Sequence, residues 1–110
     1  MSDYIDKVWG HEEIICNHEY CGKILRIVEG YQCSLHKHEI KDETFYILSG
    51  VVHLELNDDI RKMMEGEHIR VLPGELHRFR GITDAEILEI STHDDPSDSY
   101  REPGEESRRV

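Results

Sequence analysis

Apolar and polar residues alternate along this chain in short runs broken by turn residues, without long helical stripes. Lys23–Val28, Gln32–His38, Thr44–Leu48, Val51–Leu56, His68–Leu72, His77–Arg80 and Ala85–Ile90 are rich in β-branched or aromatic residues or alternate with a period of two. Each predicts a strand. Turn signals separate them: Glu29-Gly30, Ser49-Gly50, Asn57-Asp58-Asp59, Glu65-Gly66, Pro73-Gly74 and Arg80-Gly81. Short strands at this regular spacing predict an all-β sandwich or barrel. Asp59 to Glu65 reads as a hairpin loop. From Asp94 onward the chain turns polar, and residues 102–110 read as a frayed or disordered tail behind a domain spanning residues 1–101.

Length and charge narrow the partners. At 110 residues the chain fits one domain. Its formal net charge of −11 repels a phosphate backbone and an anionic membrane surface, so neither nucleic acid nor membrane is an expected partner. No apolar run approaches the roughly 20 residues that span a bilayer. The acidic N-terminal residues lack the apolar stretch of a signal peptide, and a cytoplasmic location is expected. Cys16, Cys21 and Cys33 are odd in number and form no C-x-x-C pair, which predicts free thiols, mostly buried.

Four residues carry candidate chemistry. His36 and His38 are two positions apart, so on a strand both imidazoles face the same way. Glu43 follows after a polar turn, and His77 comes just after Pro73-Gly74. Three imidazoles and one carboxylate suit a single divalent Mn, Fe, Co, Ni or Zn ion. His11, His18, His53, His68 and His93 lack such spacing and read as surface or pocket-rim residues. Arg26, Arg70, Arg78 and Arg80 bear on substrate charge, but Arg78 and Arg80 alternate away from His77 and are expected to face solvent.

The glycines add a pattern. Gly30-x5-His36-x-His38-x4-Glu43-x6-Gly50 and Gly66-x7-Gly74-x2-His77 resemble the two sequence motifs of the cupin superfamily. The resemblance covers about half the chain and implies a single-domain double-stranded β-helix, or jelly-roll barrel, with His36, His38, Glu43 and His77 as metal ligands. It departs at Leu72, where a proline is usual, and at Gly81, where an asparagine is usual. Small cupins usually dimerise by pairing strands, which implies a homodimer, with the Trp9 segment and Lys23–Val28 as candidate contacts.

Three further stretches resemble sugar-acting cupins. His36-x-His38-x-x-Lys41-x-Glu43, and Glu89-Ile-Ser-Thr92 followed by Asp94-Asp95 and Asp98-Ser-Tyr100, resemble D-lyxose isomerases. Lys7-Val-Trp9-Gly10 resembles the entry of cupin domains in phosphomannose isomerases and nucleotide-sugar enzymes. The lyxose isomerase resemblance implies proton transfer by Glu89 and Lys41. Alternation with Leu88 and Ile90 turns Glu89 toward the barrel interior. The expected function is a metal-dependent aldose–ketose isomerase acting on a sugar or sugar phosphate. A non-haem Fe(II) dioxygenase and a non-catalytic sugar-binding module are the alternatives, because one fold hosts many chemistries.

Overall fold

The computed structural model describes residues 3–110, so the first two positions of the expected domain lie outside the described residues. The strands are β1 (Asp3–Lys7), β2 (Gly10–Asn17), β3 (Tyr20–Ile27), β4 (Tyr31–Gln32), β5 (His36–Lys37), β6 (Glu43–Ser49) and β7 (Val51–Leu56). They continue with β8 (Asp59–Met64), β9 (His68–Val71), β10 (His77–Gly81), β11 (Ala85–Thr92), β12 (Tyr100–Arg101) and β13 (Arg108–Arg109). One sheet runs β1-β2-β3-β11-β6-β9. The other runs β12-β5-β10-β4-β13, with β7 pairing β10 and β8. Every pairing is antiparallel. The described residues contain no helix, and so none long and apolar enough to cross a membrane. The fold is an all-β jelly roll.

The core follows from strand alternation. In β3, Cys21, Lys23, Leu25 and Ile27 are buried while Gly22, Ile24 and Arg26 are less so. In β11 the buried set is Ala85, Ile87, Glu89 and Ser91. Leu25, Ile27, Phe45, Ile47, Val52, Leu54, Phe79 and Ile87 fill the space between the sheets, and Trp9 packs edge-on to Phe79 with ring centroids 5.1 Å apart. One end of this inner space is polar: Lys23, Lys41, Glu43, His77 and Glu89 are all buried there.

Several expectations need correction. Asp59–Met64 is a strand, paired to β7 along its length, because Asn57 and Asp58 both take positive φ and close a tight turn after β7. The hairpin β1–β2 had no predicted counterpart. Strand β1 is exposed along its whole length, so it has no alternating burial to leave a period-two signature. The run Gln32–His38 falls on two short strands, because residues 33–35 depart from regular pairing, although the Cys33 N–H still donates to the Phe79 carbonyl of β10 at 3.1 Å.

That departure explains the C-terminal segment. Buried and half-buried backbone groups need partners, and residues 102–110 supply them. Leu35 N–H donates to the Glu105 carbonyl at 3.0 Å, and Glu102 N–H donates to the Leu35 carbonyl at 2.9 Å. Strand β13 then pairs with β4, and Arg78 reaches Glu105 at 2.8 Å. The segment read as a frayed tail lies here as a strap against Leu35, β4 and Arg78. Of the expected dimer contacts, the Trp9 side chain is buried while Val8 beside it is exposed, and Lys23–Val28 falls largely on β3, whose two edges are taken by β2 and β11. The free edge of this sheet on that side belongs to β1.

Candidate metal centre

Strands β5, β6 and β10, with the turn that follows β5, bring the sequence-predicted ligands together. His36 stands on β5, directly across from His77 on β10. Pro73-Gly74 forms the turn before His77: Glu75 N–H donates to the Leu72 carbonyl at 3.2 Å, and Gly74 has φ +84°. The Gly74 N–H donates to the His38 carbonyl at 2.6 Å, tying the two ligand loops to each other. Gly81, the departure from the usual motif, is crowded: a Cβ there would lie 2.8 Å from Ile27 Cγ2 and 2.9 Å from the Val28 carbonyl. Glu43 opens β6, between Val71 and Ser91.

His36, His38 and His77 converge, with donor atoms no further than 4.8 Å from one another, and this cluster could hold a metal ion. Each ring is fixed by a backbone carbonyl at its Nδ1: Ser34 at 2.8 Å, Asp98 at 2.7 Å and Glu75 at 3.0 Å. A carbonyl only accepts, so Nδ1 carries the hydrogen in each ring and Nε2 is left for a ligand. Burial, and after it the neighbouring His77, pushes His36 down to about 3, and burial and Lys41 lower His38. His36 and His38 are therefore neutral and ready to coordinate.

Glu43 lies outside that three-histidine cluster but stands beside two of its rings. Its Oε2 lies 3.4 Å from His38 Nε2 and 3.3 Å from His77 Nε2. Two ligands of one tetrahedral ion at about 2.1 Å stand roughly 3.4 Å apart. Glu43 Oε2 and His77 Nε2 are both fully buried, and neither has a hydrogen-bond partner among the described residues. Near contact without a hydrogen bond is costly for buried polar atoms, and a cation between them relieves it. Burial raises the Glu43 carboxyl, but His77 and Lys41 outweigh burial and bring it to about 2, so it is ionised. The residues present fit a divalent transition metal.

Lys41 and Glu89, the sequence-predicted catalytic pair, are buried beside this cluster. Lys41 Nζ lies 3.5 Å from Glu43 Oε1, 3.3 Å from Glu89 Oε2 and 2.8 Å from Asp94 Oδ1. Burial lowers the lysine's pKa, but Glu89, Glu43 and Asp94 reverse that and the net direction is up, so Lys41 stays charged. Glu89 moves up, first through burial and then through the charge of Glu43. Ser91 Oγ donates to Glu89 Oε2 at 3.2 Å. Both of the Glu89 hydrogen bonds fall on Oε2, which leaves Oε1 to take a proton.

Sequence reasoning missed several members. Lys23 joins the network through Asp94 Oδ2 at 2.9 Å and Glu12 Oε1 at 3.3 Å. Asp98 accepts from the backbone N–H groups of Glu39, Ile40 and Lys41 and so holds the loop between His38 and Glu43. The cluster opens into a cavity of about 650 Å³. Its mouth is framed by Ile5 and Val8 from the N-terminal end and by Arg101 and Glu106 from the C-terminal strap. None of His11, His18, His53, His68 or His93 lines it, nor does Arg26, Arg70, Arg78 or Arg80.

No curated protein matches the chain in sequence. Solved structures resemble it in fold. KdgF from Halomonas sp. superposes with a TM-score of 0.79 at 16% identity, over 86% of this chain and 89% of that one. A cupin described as RmlC-like from Shewanella frigidimarina gives 0.79 at 16% identity over 87% of each chain. Oxalate decarboxylase from Bacillus subtilis gives 0.82 at 16% identity, but the match takes in 91% of this chain and only 30% of that one. At these identities the likeness is one of fold. The family model described as "Cupin domain" matches residues 23–91, from β3 through the Glu89 strand, and so contains every candidate ligand. That match covers well over half of the chain, which belongs to the cupin domain family.

Proposed function

We propose that the protein is a metal-dependent enzyme that moves a proton next to a carbonyl, interconverting an aldose and a ketose, with His36, His38, Glu43 and His77 as the ligands. The observation that carries this reading is the buried Glu89–Lys41 pair opening on the same cavity as the histidine cluster. A bound divalent ion supplies Lewis acidity toward the substrate's carbonyl and neighbouring hydroxyl oxygens. Glu89 takes the proton from one carbon and returns it to the next. Its raised pKa brings it closer to the working pH, which suits a general base. Lys41 remains an ammonium and meets negative charge that gathers on the substrate oxygen. Ser91 and Lys41 fix the Glu89 carboxyl in place.

A non-haem oxygenase would use the same ligands but has no need of a proton-transfer pair of this kind. The D-lyxose-isomerase-like stretches around Lys41 and Glu89 agree with the isomerase reading. The test is metal analysis followed by a screen of aldoses and ketoses in deuterated solvent. Wild-type protein loaded with the right metal is expected to exchange the substrate's C2 proton. Glu89→Gln keeps the shape and the metal content but abolishes exchange and turnover. Wild-type turnover in Glu89→Gln overturns the assignment. Absence of exchange in the wild type with each of Mn, Fe, Co, Ni and Zn overturns the isomerase reading.

A further inference from the structure

The cavity has one cation without an ionic partner among the described residues. Lys7 lies 3.9 Å from Glu12, Lys23 contacts Glu12 and Asp94, and Lys41 contacts three carboxylates. Arg101 also lines the cavity, and it makes no ion pair. It sits on β12 directly across from His36 on β5. Residues opposite each other on antiparallel strands point to the same face, with Cβ atoms about 5 Å apart. Arg101 is thus an exposed residue lining the cavity, on the same side of the strand as a candidate ligand.

The geometry points to Arg101 as the residue that selects a carboxylate-bearing substrate, holding the carboxylate at the mouth while the hydroxy-carbonyl end enters the histidine cluster. A guanidinium matches a planar carboxylate in a two-point, charge-assisted pairing. A phosphate dianion suits the site less well. The other cavity cations are already engaged, and no helix N-terminus is at hand among the described residues. Asp6, Asp95 and Glu106 line the same cavity and repel a dianion more than a monoanion. The substrate class is therefore a sugar acid rather than a neutral sugar or a sugar phosphate. This deepens the proposed function and rests on it for the metal-facing end of the substrate.

Three probes with one carbon skeleton test it: D-glucuronate, D-glucose and D-glucose 6-phosphate, titrated calorimetrically into the metal-loaded full chain. D-glucuronate is expected to bind at least about tenfold more tightly than either of the others, as a charge-assisted two-point pairing allows. Arg101→Gln is expected to bring the three within about twofold, with metal content and thermal unfolding unchanged because Arg101 is exposed and makes no ion pair. Arg101→Lys keeps the charge without the planar fork and falls between. Equal binding, tightest binding of the phosphate, or an intact preference in Arg101→Gln overturns the proposal. Failure of the chain to hold a metal overturns the ligand assignment instead. The same three titrations, followed by NMR on the metal-free protein, then still decide Arg101: the preference for D-glucuronate remains in the wild type and is lost in Arg101→Gln, or the proposal fails.

Discussion

His77 Nε2 faces Glu43 Oε2 across 3.3 Å, with both atoms buried and no hydrogen bond between them. The His77 Nδ1–H is already committed to the Glu75 carbonyl at 3.0 Å. Glu43→Gln places an amide where the carboxylate was, and its N–H can donate to His77. It also removes the carboxylate that buried Lys41 Nζ meets at 3.5 Å and whose pKa is held well below the ordinary 4.5. A carboxyl lowered this far contributes more at pH 7 than the roughly 1 kcal/mol that one hydrogen bond returns. Glu43→Gln is therefore expected to be less stable than the wild type without metal, and to lose more in added metal because the charged ligand is gone. Thermal unfolding in chelator and in added metal checks both halves, and a more stable metal-free variant contradicts the idea.

Three of the four candidate ligands, His36, His38 and Glu43, have pKa values shifted below their ordinary range. His36 is held at about 3, His38 is lowered, and Glu43 is held at about 2. Metal binding at pH 7 is therefore expected to displace about one proton or fewer per ion, since bound protons are what pH-dependent metal affinity measures. Calorimetric titrations of metal in two buffers of different ionisation enthalpy give the number. A release of two or more protons counts against neutral imidazoles in the free site.

Asp94 lies between two buried lysines, 2.8 Å from Lys41 Nζ and 2.9 Å from Lys23 Nζ. Burial raises its pKa, but the lysines outweigh burial and bring it to about 2, below the ordinary 3.8. A folded-state pKa below the unfolded value stabilises the fold above the unfolded value. That contribution is lost as pH falls from about 4 toward 2. Asp94→Asn is expected to cost about 2 kcal/mol at pH 7, in line with a pKa shift of this size. The gap from the wild type should close progressively below about pH 4. Denaturant unfolding across that pH range checks the sign, and a gap that widens on acidification refutes it.

Asp98 touches no candidate ligand with its side chain, yet it fixes the loop that joins two of them. Its carboxylate accepts from three successive backbone N–H groups, and its own carbonyl accepts from His38 Nδ1. Asp98→Ala is expected to weaken metal affinity about tenfold or more, as the loss of groups that orient ligands commonly does. Competition with a chelator measures this, and an unchanged affinity shows that the loop holds itself.

The homodimer expected from the sequence is proposed to form through β1, whose outer edge is unpaired among the described residues and which exposes Tyr4 and Ile5. An open edge with apolar side chains invites a second strand. Ile5→Lys is expected to shift the protein to monomer at micromolar concentration in sedimentation. A wild type that is already monomeric there removes the proposal.

The four candidate ligands were legible because their spacing is set by strand geometry and tight turns, both local properties. Glu89 was legible for the same reason: its inward facing follows from alternation with Leu88 and Ile90. Lys23 was not singled out, although it occupies the interior register of Cys21, Leu25 and Ile27. A charge in a buried register signals a partner across the barrel, but the partner, Asp94, is 71 positions away in sequence. The strap contacts of residues 102–110 were not legible for a similar reason. They depend on unsatisfied backbone groups at Leu35, which composition does not reveal. Strand β1, exposed throughout, carried no alternating burial to read.

The cavity mouth is built from both ends of the described chain, with Ile5 and Val8 on one side and Arg101, Glu106 and Ser107 on the other. Anything fused to either end is tethered a few residues from the opening. A polyhistidine purification tag would carry its own imidazoles to the doorway of the cluster, where they could capture an ion or plug the entrance. Metal stoichiometry and ligand titrations therefore belong on protein from which the tag has been cleaved.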